Sequence, residues 1–337
     1  MSQPSVSMPI RVACLSPYDE GTVRGLFKSR YEVDVTIAPP PPDQPAVEAA
    51  CAGADLVIAD RRHRHRIDRP LLSRMSRCRL IQQAAVGFDS VDHRAAAEYG
   101  IPVANAAGYN RDSVADWTVM AMIALLRRSF WLDRQLRAGR WHDQDLMRGG
   151  ELLGHELGAM TVGIIGMGNV GSAVARRLAP FGCRVVFADV LHPTIEGATQ
   201  VDLETLLAMC DIVCVHAPLD VDTHALIGGA ELSKMKEGAY LLNAARGPIV
   251  DERALIAALR SGHLAGAALD VFEVEPLALD SPLRGLENVI LAPHRGGATV
   301  EADARLLDVI GDNLLRVLDG KPPLHVVNGL TAARAAG

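Results

Sequence analysis

The stretch Thr161-Val-Gly-Ile-Ile-Gly-Met-Gly-Asn-Val-Gly171 decides the fold of this chain. Its apolar first half predicts a buried strand, and the spacing of its glycines predicts a tight turn into a helix. Gly166 permits the turn, Gly168 lets a ligand approach the backbone, and Gly171 lets the helix pack closely on the strand. The stretch therefore predicts a turn that binds pyrophosphate at the start of a helix.

A carboxylate further along indicates that the ligand is a dinucleotide. Asp189 ends the next predicted strand, roughly 20 residues after Gly166, where it can bond both hydroxyls of a ribose. The N–H groups of Asn169 and Val170 lie nearest the pyrophosphate in this arrangement. Asp189 would also repel the 2′-phosphate of NADP, so the predicted cofactor is NAD. The competing interpretation is a glycine-rich turn followed by an unrelated surface aspartate.

Short apolar runs alternate with helical patterns on both sides of this stretch, which is typical of βαβ units and a parallel sheet. The predicted strands are residues 11–15, 32–37, 55–59, 80–83, 102–104, 161–165, 184–188, 212–216, 239–243, 266–270 and 289–292. Helices are predicted at residues 113–128, 171–179, 203–209, 252–261 and 301–318. Ser113 or Asp112 would cap the first of these helices. The proline-rich run 38–45 would be a stiff surface connector.

The composition is that of a globular protein with two domains. Of the 337 residues, 49% are hydrophobic and 22% are charged, which excludes a disordered or fibrous chain. A net charge of −6 and an aromatic content of 4% argue against binding to nucleic acid. The N-terminus has no secretory signal, and the longest apolar run, residues 119–126, is too short to cross a membrane.

Six cysteines are scattered along the chain without a CxxC pair. This pattern matches neither a disulfide framework nor a zinc site, so we expect reduced thiols, a cytoplasmic location and no metal. The cysteines are Cys14, Cys51, Cys78, Cys183, Cys210 and Cys214.

Three segments downstream of the glycine stretch complete a family pattern. They are Asn243-Ala-Ala-Arg-Gly-Pro-Ile-Val-Asp251, Ala268-Leu-Asp-Val-Phe-Glu-Val-Glu-Pro276 and Ala292-Pro-His-Arg-Gly-Gly-Ala-Thr299. In this order and spacing, nearly the whole chain resembles the D-isomer-specific 2-hydroxyacid dehydrogenases. The resemblance implies hydride transfer between a nicotinamide and a D-2-hydroxy acid or 2-keto acid.

The same resemblance implies an α/β fold with two doubly wound parallel-sheet domains. Residues 106–299 would form a Rossmann NAD-binding domain. Residues 1–105 and 300–337 would form a split, flavodoxin-like substrate domain. The resemblance also implies a homodimer that associates through the cofactor domain, with the long helix and the loop 139–158 in the interface.

The resemblance places the catalytic residues at Arg246, Glu275 and His294, and their chemistry fits the reaction. Arg246 offers a planar, permanently charged group for the carboxylate and carbonyl of the substrate. His294 would give a proton in reduction and accept it in oxidation. Glu275 would fix the tautomer of His294 and favour its charged form. Taken singly, each residue also fits an ordinary structural role.

Further contacts carry over from the same resemblance. The substrate-binding residues would be Val86 and Gly87, whose N–H groups take the carboxylate, together with Arg246 and His294. Asp270 would meet the nicotinamide carboxamide. The remaining cofactor-binding positions would be His216, Ala217, Pro218, Thr223, Ala244, Ala245 and Gly296. Turn and buried-strand roles are the alternative for these contacts.

Departures from the family pattern leave the substrate open. The family usually has Glu at the position of Asp116 and often has Pro at that of Ala107. At the position of Arg295 it generally has an apolar or small residue. Arg295 directly follows the expected catalytic histidine, so it could change that residue's proton affinity or contact the substrate. Glyoxylate or hydroxypyruvate, 3-phosphoglycerate, and longer or aromatic keto acids all remain open.

The basic run Asp60-Arg-Arg-His-Arg-His-Arg66 is most simply a solvated loop. In the resembling family, however, the loop at this point helps to wall the substrate pocket. Arg61 or Arg62 could therefore reach a distal phosphate or carboxylate. No cluster of carboxylates or cysteines accompanies His63 and His65, so a metal site is not predicted here.

An alternative from a different class is an NAD(H)-sensing, corepressor-like binding protein, since a corepressor shares this fold and these catalytic residues. That alternative expects an exposed apolar groove for peptides and negligible turnover. The acidic chain offers no obvious groove of this kind. An assay with 2-keto acids and NADH separates the two functions.

Overall fold

Parallel strand pairing runs through both halves of the computed structural model, which describes residues 8–39, 43–141 and 153–330. The chain divides into two compact units. The first comprises Met1–Tyr109 and Val300–Gly337, and the second comprises Asn110–Thr299, each as far as its residues are described. Both units are doubly wound α/β structures on a parallel sheet, which confirms the predicted fold class.

A five-stranded sheet of order β2-β1-β3-β4-β5 forms the first unit. Its elements in chain order are β1 (Ile10–Cys14), α1 (Glu20–Gly25), β2 (Val33–Ile37), α2 (Gln44–Ala52), β3 (Leu56–Ala59), α3 (Arg69–Leu72), β4 (Leu80–Gln83), α4 (His93–Glu98) and β5 (Val103–Ala104). Within β1, Val12 and Cys14 pack in one apolar cluster and Ala13 packs in another. Because both faces of the sheet are covered, its strands have apolar runs rather than alternating patterns.

Aspartate side chains begin four helices of the first unit. Asp19, Asp43, Asp68 and Asp92 each accept the N–H group of the residue three positions further on. Asp43 begins α2, so the end of the predicted proline-rich connector is helical, because proline is tolerated in a first helical turn. Residues 40–42 of that connector lie outside the described residues.

A seven-stranded sheet of order β12-β11-β10-β9-β6-β7-β8 forms the second unit. Its elements in chain order are α5 (Arg111–Leu126), α6 (Ser129–Arg137), β6 (Thr161–Ile165), α7 (Asn169–Leu178), β7 (Arg184–Ala188), β8 (Ala198–Gln200), α8 (Leu203–Met209), β9 (Ile212–Val215), α9 (Gly229–Lys234), β10 (Ala239–Asn243), α10 (Glu252–Arg260), β11 (Leu264–Leu269) and β12 (Val289–Leu291). The helix α11 (Val300–Leu318) follows and belongs to the first unit.

The strand order of the second unit reverses at β6. From β6 the chain adds β7 and β8 on one side of the sheet, and then β9 to β12 on the other. In a doubly wound sheet, the crevice at such a reversal lies at the carboxyl ends of the strands and is the usual ligand site. Because Ile165 pairs with Val215, the end of β6 and its glycine turn lie beside the end of β9.

The long helix begins earlier than predicted. α5 starts after Asn110, which makes no side-chain cap, so the predicted cap by Ser113 or Asp112 is wrong. Both predicted caps lie inside the helix and have tertiary partners instead. Ser113 is buried with its Oγ 2.8 Å from the Oγ1 of Thr299. Asp112 accepts a hydrogen bond from Arg177 at 3.2 Å.

The helical pattern also breaks at its predicted end. Arg128 has a φ of +50° and separates α5 from α6, a helix absent from the prediction. The predicted loop 139–158 includes residues 142–152, which lie outside the described residues. The edge strand β8 is also absent from the prediction, because three residues carry too little periodicity. The first unit extends to Tyr109, beyond the predicted boundary at residue 105.

Membrane helices and disulfides are both lacking in the part of the chain that the structure describes. No helix there is long and apolar enough to span a bilayer. All six cysteines lie in that part; they are buried, and none forms a disulfide. Burial raises the pKa of Cys14 to about 11 and that of Cys51 to about 12, so these thiols are protonated and unreactive at neutral pH.

Candidate active site

The glycine turn after β6 leaves space for a ligand at one position. Gly166 has a φ of +90°, and a Cβ atom there would lie 2.5 Å from the N atom of Ala217. A Cβ atom at Gly171 would lie 2.2 Å from the carbonyl oxygen of Gly166. Above Gly168, by contrast, the Cβ position has no atom within 4 Å. Gly166 and Gly171 therefore serve packing, and Gly168 opens to a ligand.

An uncapped helix and a carboxylate border that open space. α7 begins at Asn169, and no side chain caps it, so the N–H groups of its first turn are available to a ligand. Asp189 directly follows β7. Its Oδ2 accepts the N–H of Met167 at 2.6 Å, and its Oδ1 accepts the N–H of Leu191 at 2.8 Å. This set of donors and acceptors fits the pyrophosphate and ribose of a dinucleotide.

The segment after β9 lies beside the same turn. The main-chain N–H of His216 donates to the carbonyl of Ile165 at 2.7 Å. Burial lowers the pKa of His216 to about 4, so its ring is neutral, and its buried Nε2 has no partner among the described residues. An unsatisfied polar atom is consistent with a ligand-binding segment. Thr223 donates its hydroxyl to the carbonyl of Pro218 at 2.6 Å, which closes the following loop.

Asn243 shapes the loop that carries Arg246. Its side-chain oxygen accepts the N–H of Ala245 at 3.0 Å, and its amide donates to the carbonyl of Arg246 at 2.9 Å. Arg246 donates from Nη1 to the carbonyl of Ala245 at 2.8 Å. A Cβ atom at Gly247 would lie 1.9 Å from the carbonyl carbon of Phe272. Local hydrogen bonds and close backbone packing therefore fix the point at which Arg246 leaves the sheet.

Glu275 and His294 form a hydrogen-bonded pair. The Oε2 atom of Glu275 lies 2.8 Å from Nδ1 of His294, and its Oε1 atom accepts the N–H of Phe272 at 3.2 Å. Burial would raise the pKa of Glu275, but the hydrogen bond and charge of His294, with the charge of Arg246, hold that pKa below its ordinary value. Glu275 is therefore ionised at neutral pH, and Nε2 of His294 is left for a substrate.

A buried carboxylate fixes the backbone of the loop that carries His294. His294 has a φ of +54°, and its main-chain N–H donates to the main-chain carbonyl of Asp270 at 2.8 Å. The carboxylate of Asp270 accepts the next two N–H groups, from Arg295 and Gly296, both at 2.7 Å. Successive N–H groups around an anion form a nest, and this nest stabilises the left-handed conformation of His294.

Asp270 is held inside this loop. It is 2% exposed, and a Cβ atom at Gly296 would lie 2.8 Å from its Oδ2. Burial raises the pKa of Asp270, although the two N–H groups and the charge of His294 act in the opposite direction. The sequence predicts Asp270 and Gly296 at the cofactor. In the structure, the contacts described for these two residues lie within the loop that carries His294.

In the first unit, the loop after β4 offers two N–H groups. Its backbone is anchored, because Asn105 donates its side-chain amide to the carbonyl of Val86 at 2.7 Å and Ala106 donates its N–H to the carbonyl of Ala85 at 3.0 Å. The N–H groups of Val86 and Gly87 have no acceptor among the described residues. A fixed loop with two such donors is suited to a carboxylate.

The basic run in the same unit folds around a buried carboxylate. Asp60 is 0% exposed and accepts the N–H groups of Arg62 and Arg64 at 3.1 Å and 2.9 Å. Burial would raise the pKa of Asp60, but these bonds and the side chain of Arg64 hold it below its ordinary value. Arg61 donates to Asp303 at 2.6 Å. The exposed side chain of Arg62 has no partner in the described part of the chain, so Arg62 is the better candidate for a ligand.

Comparison with known proteins identifies the family of this chain. Residues 119–296 match the family model described as D-isomer specific 2-hydroxyacid dehydrogenase, NAD binding domain. The chain is 40% identical to the glyoxylate reductase of Thermofilum pendens over 268 residues, which cover 78% of each chain. This chain belongs to the D-isomer-specific 2-hydroxyacid dehydrogenases.

Other members of the family show its range. The (S)-sulfolactate dehydrogenase of Chromohalobacter salexigens is 40% identical over 281 residues, which cover 82% of this chain and 88% of that protein. The D-mandelate dehydrogenase of Rhodotorula graminis in its holo form has a TM-score of 0.85 at 27% identity, and the match covers 97% of this chain and all of that one. The chain is therefore a hydroxyacid dehydrogenase that uses a nicotinamide cofactor.

The fold of this dehydrogenase brings its three predicted catalytic residues to neighbouring strand ends. Arg246, Glu275 and His294 follow β10, β11 and β12, which lie side by side in the sheet. Two further residues, Asn243 and Gly247, shape the loop of Arg246 and were not predicted from the sequence. The available signals were an amide at the end of an apolar strand and a glycine directly after the predicted anchor.

Proposed function

We propose that this chain reduces a small 2-keto acid to the D-2-hydroxy acid, and catalyses the reverse oxidation, with Arg246, Glu275 and His294 as its catalytic residues. The observation that carries the proposal is the 2.8 Å pair of Glu275 and His294. The loop of Arg246 supports it, since the charge of Arg246 acts on the same carboxylate.

The proposed roles follow from the chemistry of each side chain. When bound, the nicotinamide supplies the hydride in reduction and accepts it in oxidation. Arg246 binds the carboxylate of the substrate and polarises its carbonyl. His294 donates a proton from Nε2 to the carbonyl oxygen in reduction and receives it in oxidation. Glu275 keeps the proton on Nδ1 and orients the ring.

NAD is the proposed cofactor in preference to NADP. The carboxylate of Asp189 supports this choice, because it would bond the ribose hydroxyls and repel a 2′-phosphate. Residues 190–197 contain no Lys or Arg that would pair with that phosphate. The proposed contacts are Gly166, Gly168, Asn169, Val170, Gly171, Asp189, His216, Ala217, Pro218, Thr223, Ala244, Ala245, Asp270 and Gly296.

The two units would have separate tasks. The second unit would bind NAD, and the family model for an NAD-binding domain at residues 119–296 supports that role. The first unit would bind the carboxylate of the substrate through the N–H groups of Val86 and Gly87. We also propose a cytoplasmic location, which the six unpaired thiols support.

A homodimer is the proposed assembly. Apolar side chains on and near α6 are exposed in the single chain: Phe130 is 46% exposed, Leu136 55%, Trp141 70% and Leu153 66%. Phe130 and Leu153 line the same surface cavity, and exposed apolar side chains that lie together are typical of an interface. A second copy of the chain is the occupant that the proposal assigns to this surface.

The substrate is proposed to be either a small keto acid or one with a second anionic group. The named activity of the Thermofilum relative favours glyoxylate, whereas that of the Chromohalobacter relative favours an acid with a sulfonate. The exposed guanidinium of Arg62 supports the second class.

A steady-state assay with NADH and a panel of 2-keto acids tests the proposed function. The panel would contain glyoxylate, hydroxypyruvate, phosphohydroxypyruvate and sulfopyruvate. We expect turnover with at least one of these acids and a higher kcat/KM with NADH than with NADPH. Tight binding of NADH without turnover of any keto acid would instead support the cofactor-sensing alternative.

A further inference from the structure

Gln200 holds the backbone of the segment that carries Asp189. It ends the edge strand β8 and pairs in register with Phe187, two residues before Asp189. Its Nε2 donates to the carbonyl oxygens of Asp189 and Leu191, both at 2.9 Å. Its Oε1 lies 2.9 Å from Nδ1 of His192. One amide side chain therefore uses both of its N–H groups and its oxygen on this segment.

Side-chain packing does little to hold the same segment. Val190 is 95% exposed and Leu191 is 71% exposed, although both are apolar. A segment with few apolar contacts and exposed backbone hydrogen bonds opens readily. The order of residues 189–192 therefore depends on hydrogen bonds, and Gln200 supplies two of them from outside the segment.

The bonds of Gln200 and those of the Asp189 carboxylate act on the same residues. Gln200 holds the carbonyl of Leu191, while Oδ1 of Asp189 accepts the N–H of Leu191 at 2.8 Å. The other oxygen of Asp189 accepts the N–H of Met167 in the glycine turn at 2.6 Å. If Gln200 releases the segment, the carboxylate loses the fixed position of one of its two donors.

We infer that Gln200 is a positioning residue that holds Asp189 ready for a ribose, and so sets the affinity for NADH and the preference for NADH over NADPH. The inference rests on the proposed use of Asp189 in cofactor binding. It concerns binding alone, because Gln200 contacts none of the three proposed catalytic residues. Preorganisation of this kind raises affinity by reducing the cost of ordering the site.

Gln200→Glu is the sharpest test, because it keeps the size of the side chain and an acceptor for His192 but removes both donated hydrogen bonds. Fluorescence titration of the full chain with NADH and NADPH measures Kd without turnover. We expect Kd for NADH to rise about tenfold, as the loss of two net hydrogen bonds implies. The preference for NADH over NADPH is instead read from the uncharged Gln200→Leu, because a new carboxylate would itself repel a 2′-phosphate. In both variants, kcat at saturating NADH should stay close to that of the wild type.

A second variant and a control separate this effect from charge and from general damage. Gln200→Leu removes the same bonds without adding a charge, and it should change both Kd values in the same direction. Thr199→Glu adds the same charge at an exposed position on the other side of the strand, and it should change neither. In the absence of cofactor, the main-chain amide of Leu191 should exchange its hydrogen faster in both Gln200 variants than in the wild type. In Thr199→Glu the exchange rate should be that of the wild type.

Each outcome has one meaning. If the wild type binds NADH and both Gln200 variants bind it with the same Kd, the inference is wrong and the proposed function stands. An equal rise in Kd in Thr199→Glu would also overturn the inference, because charge would then explain the effect. If the wild type fails to bind NADH, the proposed function itself is wrong.

Discussion

At the scale of single residues, the proposed chemistry depends on charges that neighbouring groups control. The ionised state of Glu275 results from two opposing effects: burial disfavours the charge, and His294 and Arg246 favour it. Asp270 is more deeply buried, and burial raises its pKa. The two carboxylates therefore have opposite pKa shifts, because Asp270 is the more deeply buried and only Glu275 is hydrogen-bonded to the ring of His294.

The first prediction concerns the anchor for the substrate. Arg246→Lys keeps the charge, but an ammonium group cannot bond the carboxylate and the carbonyl together. We expect kcat/KM to fall by an amount equivalent to about 2–4 kcal/mol. Arg253→Lys, at an exposed position on α10, is the matched control and should have no effect. A kcat/KM near the wild-type value for Arg246→Lys would remove Arg246 from the site.

The second prediction concerns the dependence of activity and stability on pH. Because the folded pKa of Glu275 is lowered, its pair with His294 stabilises the fold above the ordinary pKa of glutamate, and this contribution is lost as pH falls through the folded pKa. Glu275→Gln removes it, so the free energy of unfolding should depend less on pH in the acidic range. Keto-acid reduction should also lose kcat/KM, because the amide no longer supplies a negative charge beside the proton-donating ring of His294.

Urea unfolding at a series of acidic pH values measures the stability, and kcat/KM against pH in both directions measures the activity. Glu273→Gln changes an exposed carboxylate two residues away and should move neither profile. If the free energy of unfolding of Glu275→Gln depends on pH as that of the wild type does, and kcat/KM is unchanged, the carboxylate of Glu275 has neither role.

At the scale of elements, the loops after the strands are held by backbone packing. The loop after β10 passes the backbone after β11 so closely that only glycine fits at Gly247. The loop after β12 is fixed by the nest around Asp270. Because each loop follows a strand of the same sheet, a displacement of one loop changes the relative positions of Arg246 and His294.

The third prediction tests that packing. Gly247→Ala would place a Cβ atom 1.9 Å from the carbonyl of Phe272, so the loop must move. Overpacking of this kind costs about 1–3 kcal/mol of stability, and the displaced Arg246 should lower kcat/KM further. Gly285→Ala, where no atom lies within 4 Å of the Cβ position, is the control. Urea unfolding and steady-state kinetics measure the two effects, and an unchanged kcat/KM would contradict the role of this packing.

The fourth prediction concerns the basic loop of the first unit. Arg61 is paired with Asp303 and Arg64 with Asp60, whereas the exposed side chains of Arg62 and Arg66 have no partner in the described part of the chain. Arg62→Ala should raise KM for keto acids with a second anionic group and leave KM for glyoxylate unchanged. Arg66→Ala, in the same basic run, should leave both values unchanged. Equal effects of Arg62→Ala on all substrates, or no effect, would make this run a solvated loop.

At the scale of the whole molecule, the fifth prediction concerns assembly. The exposed apolar side chains around α6 should be buried against a second copy. Sedimentation velocity should therefore give a mass of twice 36.0 kDa. Trp141→Asp should shift the protein towards the monomer, while Val274→Asp, at a site that is 72% exposed in another loop, should not. A monomeric wild type at micromolar concentration would exclude the proposed dimer.

Local sequence patterns were enough to predict the parallel α/β architecture and the place of the glycine turn. The predicted strands 80–83, 161–165, 184–188 and 239–243 coincide with the observed ones. These features are local: an apolar run that is buried on both faces and a glycine turn leave their patterns within a few residues. The family motifs also predict Arg246, Glu275 and His294 as catalytic residues.

The partners of charged and polar side chains, by contrast, became known only from the packing of the folded chain. Arg61 pairs with Asp303 across the fold, and Gln200 reaches back to hold the segment of Asp189. The helix α5 begins directly after Asn110, and Ser113, which was predicted to cap it, lies inside the helix and bonds Thr299 instead. Periodicity reports whether a residue is buried, but the partner of a charge or an amide depends on packing between elements that are distant in sequence.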